Sequence, residues 1–172
     1  IHGMRRFTNV LPIAPNEVKT AKEIYRAPIY NKGAWTLHTL RYLLGDKTFF
    51  KVLRKMAYPN AEMEATSDGS ACRFVQTSDF IKICEEASGL NLTWFFDIYV
   101  RQAALPVLEK TIENNVLFLK WKTPDQLPFP MPITIKTGKE WKRIEIPSKG
   151  ISIHFDGKEA PIVDPEGWVL KM

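Results

Sequence analysis

The sequence predicts an α+β chain, and three observations carry that reading. Up to Ala104 the apolar residues recur at helical spacing; beyond it the period changes to two; and the later segments are β-branched or aromatic and separated by turn signals. The predicted arrangement is a helical region over residues 1–104 followed by a small antiparallel β-sandwich over residues 105–172, with the boundary near Leu105-Pro106.

Residues through Pro28 read as irregular or weakly helical, punctuated by Pro12, Pro15 and Pro28. Over residues 31–44 the spacing of Ala34, Leu37, Leu40 and Leu44 predicts a helix that Gly45 stops, and Asp46 is expected to cap the next one. That helix carries Phe49, Val52, Leu53 and Met56 on one face. Residues 58–73 hold Pro59, Asn60, Ser67, Asp68, Gly69 and Ser70 and read as a long surface loop. Phe80, Ile83, Cys84 and Ala87 form a third stripe ended by Gly89, and Leu92, Phe95, Phe96 and Tyr99 form a fourth that Asn91 caps. Strands are expected over residues 107–112, 116–121, 131–136, 141–146 and 151–155. Asn114-Asn115, Gly138, Gly150, Asp156-Gly157 and Glu166-Gly167 are the turns.

The chain has 172 residues, 45% hydrophobic and 25% charged, enough to bury a core in one or two compact domains and to exclude disorder. Its net charge of +5 would permit an anionic partner, but the basic residues alternate with acids, as on a solvated surface. Lys120-Trp121-Lys122 and Trp141-Lys142-Arg143 could stack on and neutralise single-stranded nucleic acid. The same interleaving is what a half-buried strand looks like, so no nucleic-acid partner is expected. No apolar run approaches the ~20 residues of a membrane span. Residues 1–7 are too short and mixed for a signal peptide, and a start at Ile1 suggests a mature or cut-out segment. Two cysteines, Cys72 and Cys84, are too few for a zinc ribbon or finger. A disulfide between them is open, although Cys84 also suits a buried helix face as a free thiol.

Self-contained catalytic signatures are missing: there is no H-E-x-x-H, no phosphate-binding glycine loop and no G-x-S-x-G. His2, His38 and His154 lie far apart in sequence, and His38, mid-helix among apolar residues, is expected to pack rather than to ligate.

Two segments go further. The first runs Ile29-Tyr30-Asn31-Lys32-Gly33-Ala34-Trp35, continues through Leu37-His38-Thr39-Leu40-Arg41 to Leu44-Gly45-Asp46, and reaches Phe49 and Phe50. It resembles the Y-x-K-G-A helix of the aminopeptidase N family of zinc metallopeptidases (gluzincin aminopeptidases), with its leucine-rich turn, arginine and L-G-[DE]…F element. The second is Ser88-Gly89-Leu90-Asn91-Leu92-Thr93-Trp94-Phe95-Phe96-Asp97, then Tyr99-Val100 and Leu105-Pro106-Val107-Leu108. It is similar to the family's S-G-x-D-L-x-W-F-F-D-x-W segment, which leads into a β-sandwich. Asn91 stands where the family has an acid and Ile98-Tyr99 where it has glutamine and tryptophan, at capping and packing positions.

The resemblance implies that residues 1–104 are the C-terminal part of a gluzincin catalytic domain and that residues 105–172 are the following β domain. In that family the zinc ligands are two histidines of H-E-x-x-H and a further glutamate, all upstream of the Y-x-K-G helix. Zinc is therefore expected in the intact parent and none in this chain, which would be inactive alone. Only Tyr30 transfers as a catalytic residue, as donor to the developing oxyanion: a phenol of pKa ~10 donates a hydrogen bond without acting as a base at neutral pH. Lys32 and Gly33 are expected to serve packing, Arg41 to pair with a carboxylate the sequence does not identify, and Tyr25, Arg26 and Trp35 to lie near the cleft. The implied partners are a peptide substrate and the upstream part of the catalytic domain. A non-enzymatic adaptor that keeps the scaffold is the first alternative, and a basic α+β module binding nucleic acid or glycan the second.

Overall fold

In the computed structural model the described residues are 11–15, 20–25 and 27–172. They contain mixed helix and antiparallel sheet, an α+β chain. The readings made on residues 1–7, His2 and Arg26 lie outside them. Among the described residues no helix is long and apolar enough to cross a membrane.

Helices come first: α1 (Ala21–Ile24), α2 (Ala27–Leu44), α3 (Asp46–Ala57), α4 (Ala61–Ala65), α5 (Thr77–Ser88) and α6 (Thr93–Phe96), which widens into a π-helical turn at Asp97–Arg101. Strands follow: β1 (Val107–Glu113), β2 (Val116–Lys122), β3 (Ile133–Thr137), β4 (Glu140–Ile144), β5 (Ile151–His154) and β6 (Ile162–Val163). The chain divides into two compact units, Ile1–Thr39 with Trp94–Met172, and Leu40–Thr93.

In the unit of residues 40–93, Gly45 joins two helices in one step. Its N–H donates to the Arg41 carbonyl at 2.8 Å and its own carbonyl accepts from Phe49, at a φ of 77° that favours glycine. Asp46, expected as a cap, makes no cap hydrogen bond. It stands in the first turn of α3 and receives both Nε and Nη2 of Arg41 at 2.8 Å, so it is the carboxylate that Arg41 pairs with. Phe49 and Val52 of α3 and Cys84 of α5 are buried, and Lys55 bonds Glu86 across these two helices at 2.7 Å. The expected loop over residues 58–73 contains the short helix α4, because the Asn60 side chain accepts the Met63 N–H and caps it. Cys72 and Cys84 are both free thiols, the first exposed and the second buried.

In the other unit, the strands form two three-stranded antiparallel sheets of order β1-β2-β5 and β4-β3-β6. Asn114 and Asn115, both at positive φ (49° and 59°), make the two-residue turn of the β1-β2 hairpin, a conformation asparagine tolerates. Leu117, Leu119 and Trp121 alternate on the buried face of β2, as Ile133 and Ile135 do on β3. Each such side chain contributes roughly 1.5–3 kcal/mol by leaving water. The Trp121 indole donates to the Met131 carbonyl at 3.0 Å, and its ring meets Phe129 edge-on at 5.0 Å. Trp94 and Tyr99 meet Phe129 in the same way. Trp121 is thus spent in the core rather than presented for base stacking. From Phe95 to Val100 only Asp97 escapes burial, the mark of a helical segment wrapped on all sides.

Candidate functional site

Helix α2 carries the candidate site, and its apolar spacing misleads about which side is buried. Of the stripe of Ala34, Leu37, Leu40 and Leu44, the first two face out, whereas the buried positions of the helix are Lys32, Thr36, Thr39 and Leu40. The helix also begins earlier than expected, at Ala27, with Pro28 in the first turn, where a missing N–H costs no intrahelical bond.

The buried polar side chains of α2 explain this orientation. Lys32, 2% exposed, donates from Nζ to the carbonyls of Gln102 (2.5 Å) and Ala103 (3.2 Å), closing the end of the π-helical turn. Burial pushes its ammonium down to about 8. Thr39 bonds the segment at 168–170: its hydroxyl accepts the Leu170 N–H and donates to the Trp168 carbonyl. Asp164, itself buried, receives the Trp168 and Val169 N–H groups and the Lys171 ammonium. The Tyr99 hydroxyl donates to the Leu170 carbonyl at 2.8 Å.

On the outward face of α2, Tyr30 is 59% exposed. Its ring meets that of Tyr25 at 6.1 Å, edge to face, and the hydrogen bond between the two phenols holds the Tyr30 pKa above its ordinary value. Tyr30 therefore stays a protonated donor through the neutral range.

One turn further along the same face lies an open groove of about 500 Å³ lined by Ala34, Trp35, His38, Glu166 and Trp168. His38 stacks on Trp168 (4.5 Å, 9° between planes) and meets Trp35 edge-on at 5.2 Å. The Trp168 indole donates to Glu166 Oε2 at 2.9 Å. Trp35 and His38 thus pack as sequence position suggests, while Glu166 and Trp168, read from the sequence only as a turn and its neighbour, supply the opposite wall. The separation of about 130 residues between the walls hid that pairing. Among the described residues no three His, Cys, Asp or Glu side chains come together in a way that could hold a metal ion. His154 stands exposed on β5, apart from this groove.

No protein-family model matches the chain. Over 108 residues, 63% of this chain and 11% of the other, it is 30% identical to "Aminopeptidase N" of Lactococcus lactis subsp. lactis. Its fold is similar to part of Legionella pneumophila aminopeptidase A, solved in complex with aspartic acid, with a TM-score of 0.57 and 19% identity over 90% of this chain and 19% of that one. The chain is thus related in sequence to an aminopeptidase and similar in fold to another, and it spans about a tenth and a fifth of their lengths.

Proposed function

We propose that this chain is part of a zinc-dependent aminopeptidase that removes N-terminal residues from peptides. Residues 1–104 form the C-terminal part of its gluzincin catalytic domain and residues 105–172 a β-sandwich domain. Tyr30 is the oxyanion donor. Zinc belongs to the intact parent, held upstream of Tyr30, and the chain alone, without ligands for it, is inactive.

The observation that carries this reading is the placement of Tyr30. Its phenol is 59% exposed on a helix whose buried face is filled by Lys32, Thr36 and Thr39, and the ring it meets, Tyr25, is itself exposed, so the buried core does not call for tyrosine there. The order of the two sequence segments and the likeness to two aminopeptidases support it. In the reaction, the Tyr30 hydroxyl would donate one hydrogen bond to the oxygen that gains charge as the scissile carbonyl is attacked. A single donor of that kind is worth roughly 3–4 kcal/mol in the transition state.

The test is kcat and KM of the intact parent on aminoacyl chromogenic amides, native against Tyr30→Phe. A fall in kcat of about two orders of magnitude or more with KM nearly unchanged is expected. Unchanged kcat would reduce Tyr30 to a packing residue and leave the non-enzymatic scaffold as the reading.

A further inference from the structure

The groove beside Tyr30 has the chemistry of a cation site. Two indoles and an imidazole wall it, and a carboxylate stands at its rim. Ala34 contributes only a methyl group, which leaves the space open, and the volume of about 500 Å³ falls in the usual ~300–1,000 Å³ range of ligand pockets.

The carboxylate of Glu166 is exposed and held in place by the Trp168 indole through one oxygen, which leaves Oε1 and the remaining lone pairs to accept from a ligand. Among the described residues no lysine or arginine is paired with it; the ammonium of Lys171, close by in sequence, is held by Asp164. A negative charge held in place, with no lysine or arginine among the described residues paired to it, therefore stands at the edge of an aromatic surface.

We infer that this groove binds the arginine side chain of a peptide, with the guanidinium lying on the aromatic wall of Trp35, His38 and Trp168 and donating to Glu166. Arginine suits it better than lysine because its planar, weakly hydrated cation stacks on rings and forks onto a carboxylate at the same time. The inference stands apart from the aminopeptidase reading, since it concerns binding by this chain and not turnover. If both hold, distance adds a specificity. Tyr30 to His38 is eight residues of helix, about 12 Å at 1.5 Å per residue, which an extended peptide spans in roughly three to four residues. The favoured arginine would lie that far from the bond at Tyr30.

The experiment titrates the 172-residue chain with N-acetyl-Gly-Arg-Gly-amide at low salt, following the Trp168 indole N–H resonance by NMR. That proton lies on the groove and reports on Glu166 directly. Saturable shifts are expected, with at least about tenfold weaker binding for the glutamine peptide and for Glu166→Gln, and weakening as salt rises. Glu166 is exposed and glutamine keeps an acceptor for the indole, so the variant retains the fold, as circular dichroism would verify. Equal binding of the arginine and glutamine peptides, no effect of Glu166→Gln, or no saturable shift overturns the site. A lysine peptide binding as tightly as arginine overturns the stacked guanidinium.

Discussion

Thr39 on helix α2 and Leu170 near the C-terminus are joined through one oxygen: the Thr39 hydroxyl accepts the Leu170 N–H at 2.9 Å and donates to the Trp168 carbonyl at 3.1 Å. Both ends are buried, Thr39 at 0% exposure. Thr39→Val keeps the shape and removes both bonds, leaving a buried donor and a buried acceptor unpaired. A loss of about 2–4 kcal/mol is expected, read as a lower urea midpoint with unchanged m-value.

Lys32 gives the chain a pH-dependent stability at the alkaline end. Its folded pKa lies near 8 against an ordinary 10.5, so between those values the unfolded chain holds the proton that the folded chain has released. Stability from this group is then full above about 10.5 and is lost as pH falls through about 8. The unfolding free energy of the native chain minus that of Lys32→Met should rise over this window by at most about 3 kcal/mol. A flat difference profile would show that the two carbonyl acceptors restore the ammonium to its ordinary pKa.

Gly150 and Gly89 both have positive φ, 89° and 70°, but differ in surroundings. A Cβ on Gly150 would lie 2.5 Å from Phe118 Cζ and 2.8 Å from the Leu119 carbonyl oxygen, whereas one on Gly89 would meet nothing within 4 Å. Gly89→Ala should cost only the left-handed backbone term of roughly 1–2 kcal/mol, and Gly150→Ala clearly more. Thermal melts of the two variants decide it; equal shifts would mean that Phe118 moves aside freely.

The strands were legible because their signal is local. Val116 to Trp121 alternates with period two, Asn114-Asn115 marks a tight turn, and the observed β2 keeps both. The outward face of α2 was not, because periodicity records only where apolar residues recur. Lys32 and Thr39 are buried through partners at 102–103 and 168–170, and no window around them contains those partners. Helix α4 was missed for a related reason: Asn60 serves loops and helix caps alike, and only the Met63 bond distinguishes them. Of the candidate site, the sequence singled out Tyr30 through its motif and placed Trp35 nearby. It left out Glu166 and Trp168, whose neighbours across the groove are assembled only by folding.

The segment from Trp168 to Leu170 bends at Val169 and is bonded into neither sheet. Instead side chains take all six of its backbone groups: Asp164 accepts from the Trp168 and Val169 N–H, Thr39 bonds the Trp168 carbonyl and the Leu170 N–H, Lys171 donates to the Val169 carbonyl at 3.3 Å and Tyr99 to that of Leu170. Backbone N–H and C=O groups left unpaired outside a sheet are groups to which a foreign strand can bond. Here four side chains occupy those groups in advance, so this stretch presents no row of free donors and acceptors to another chain.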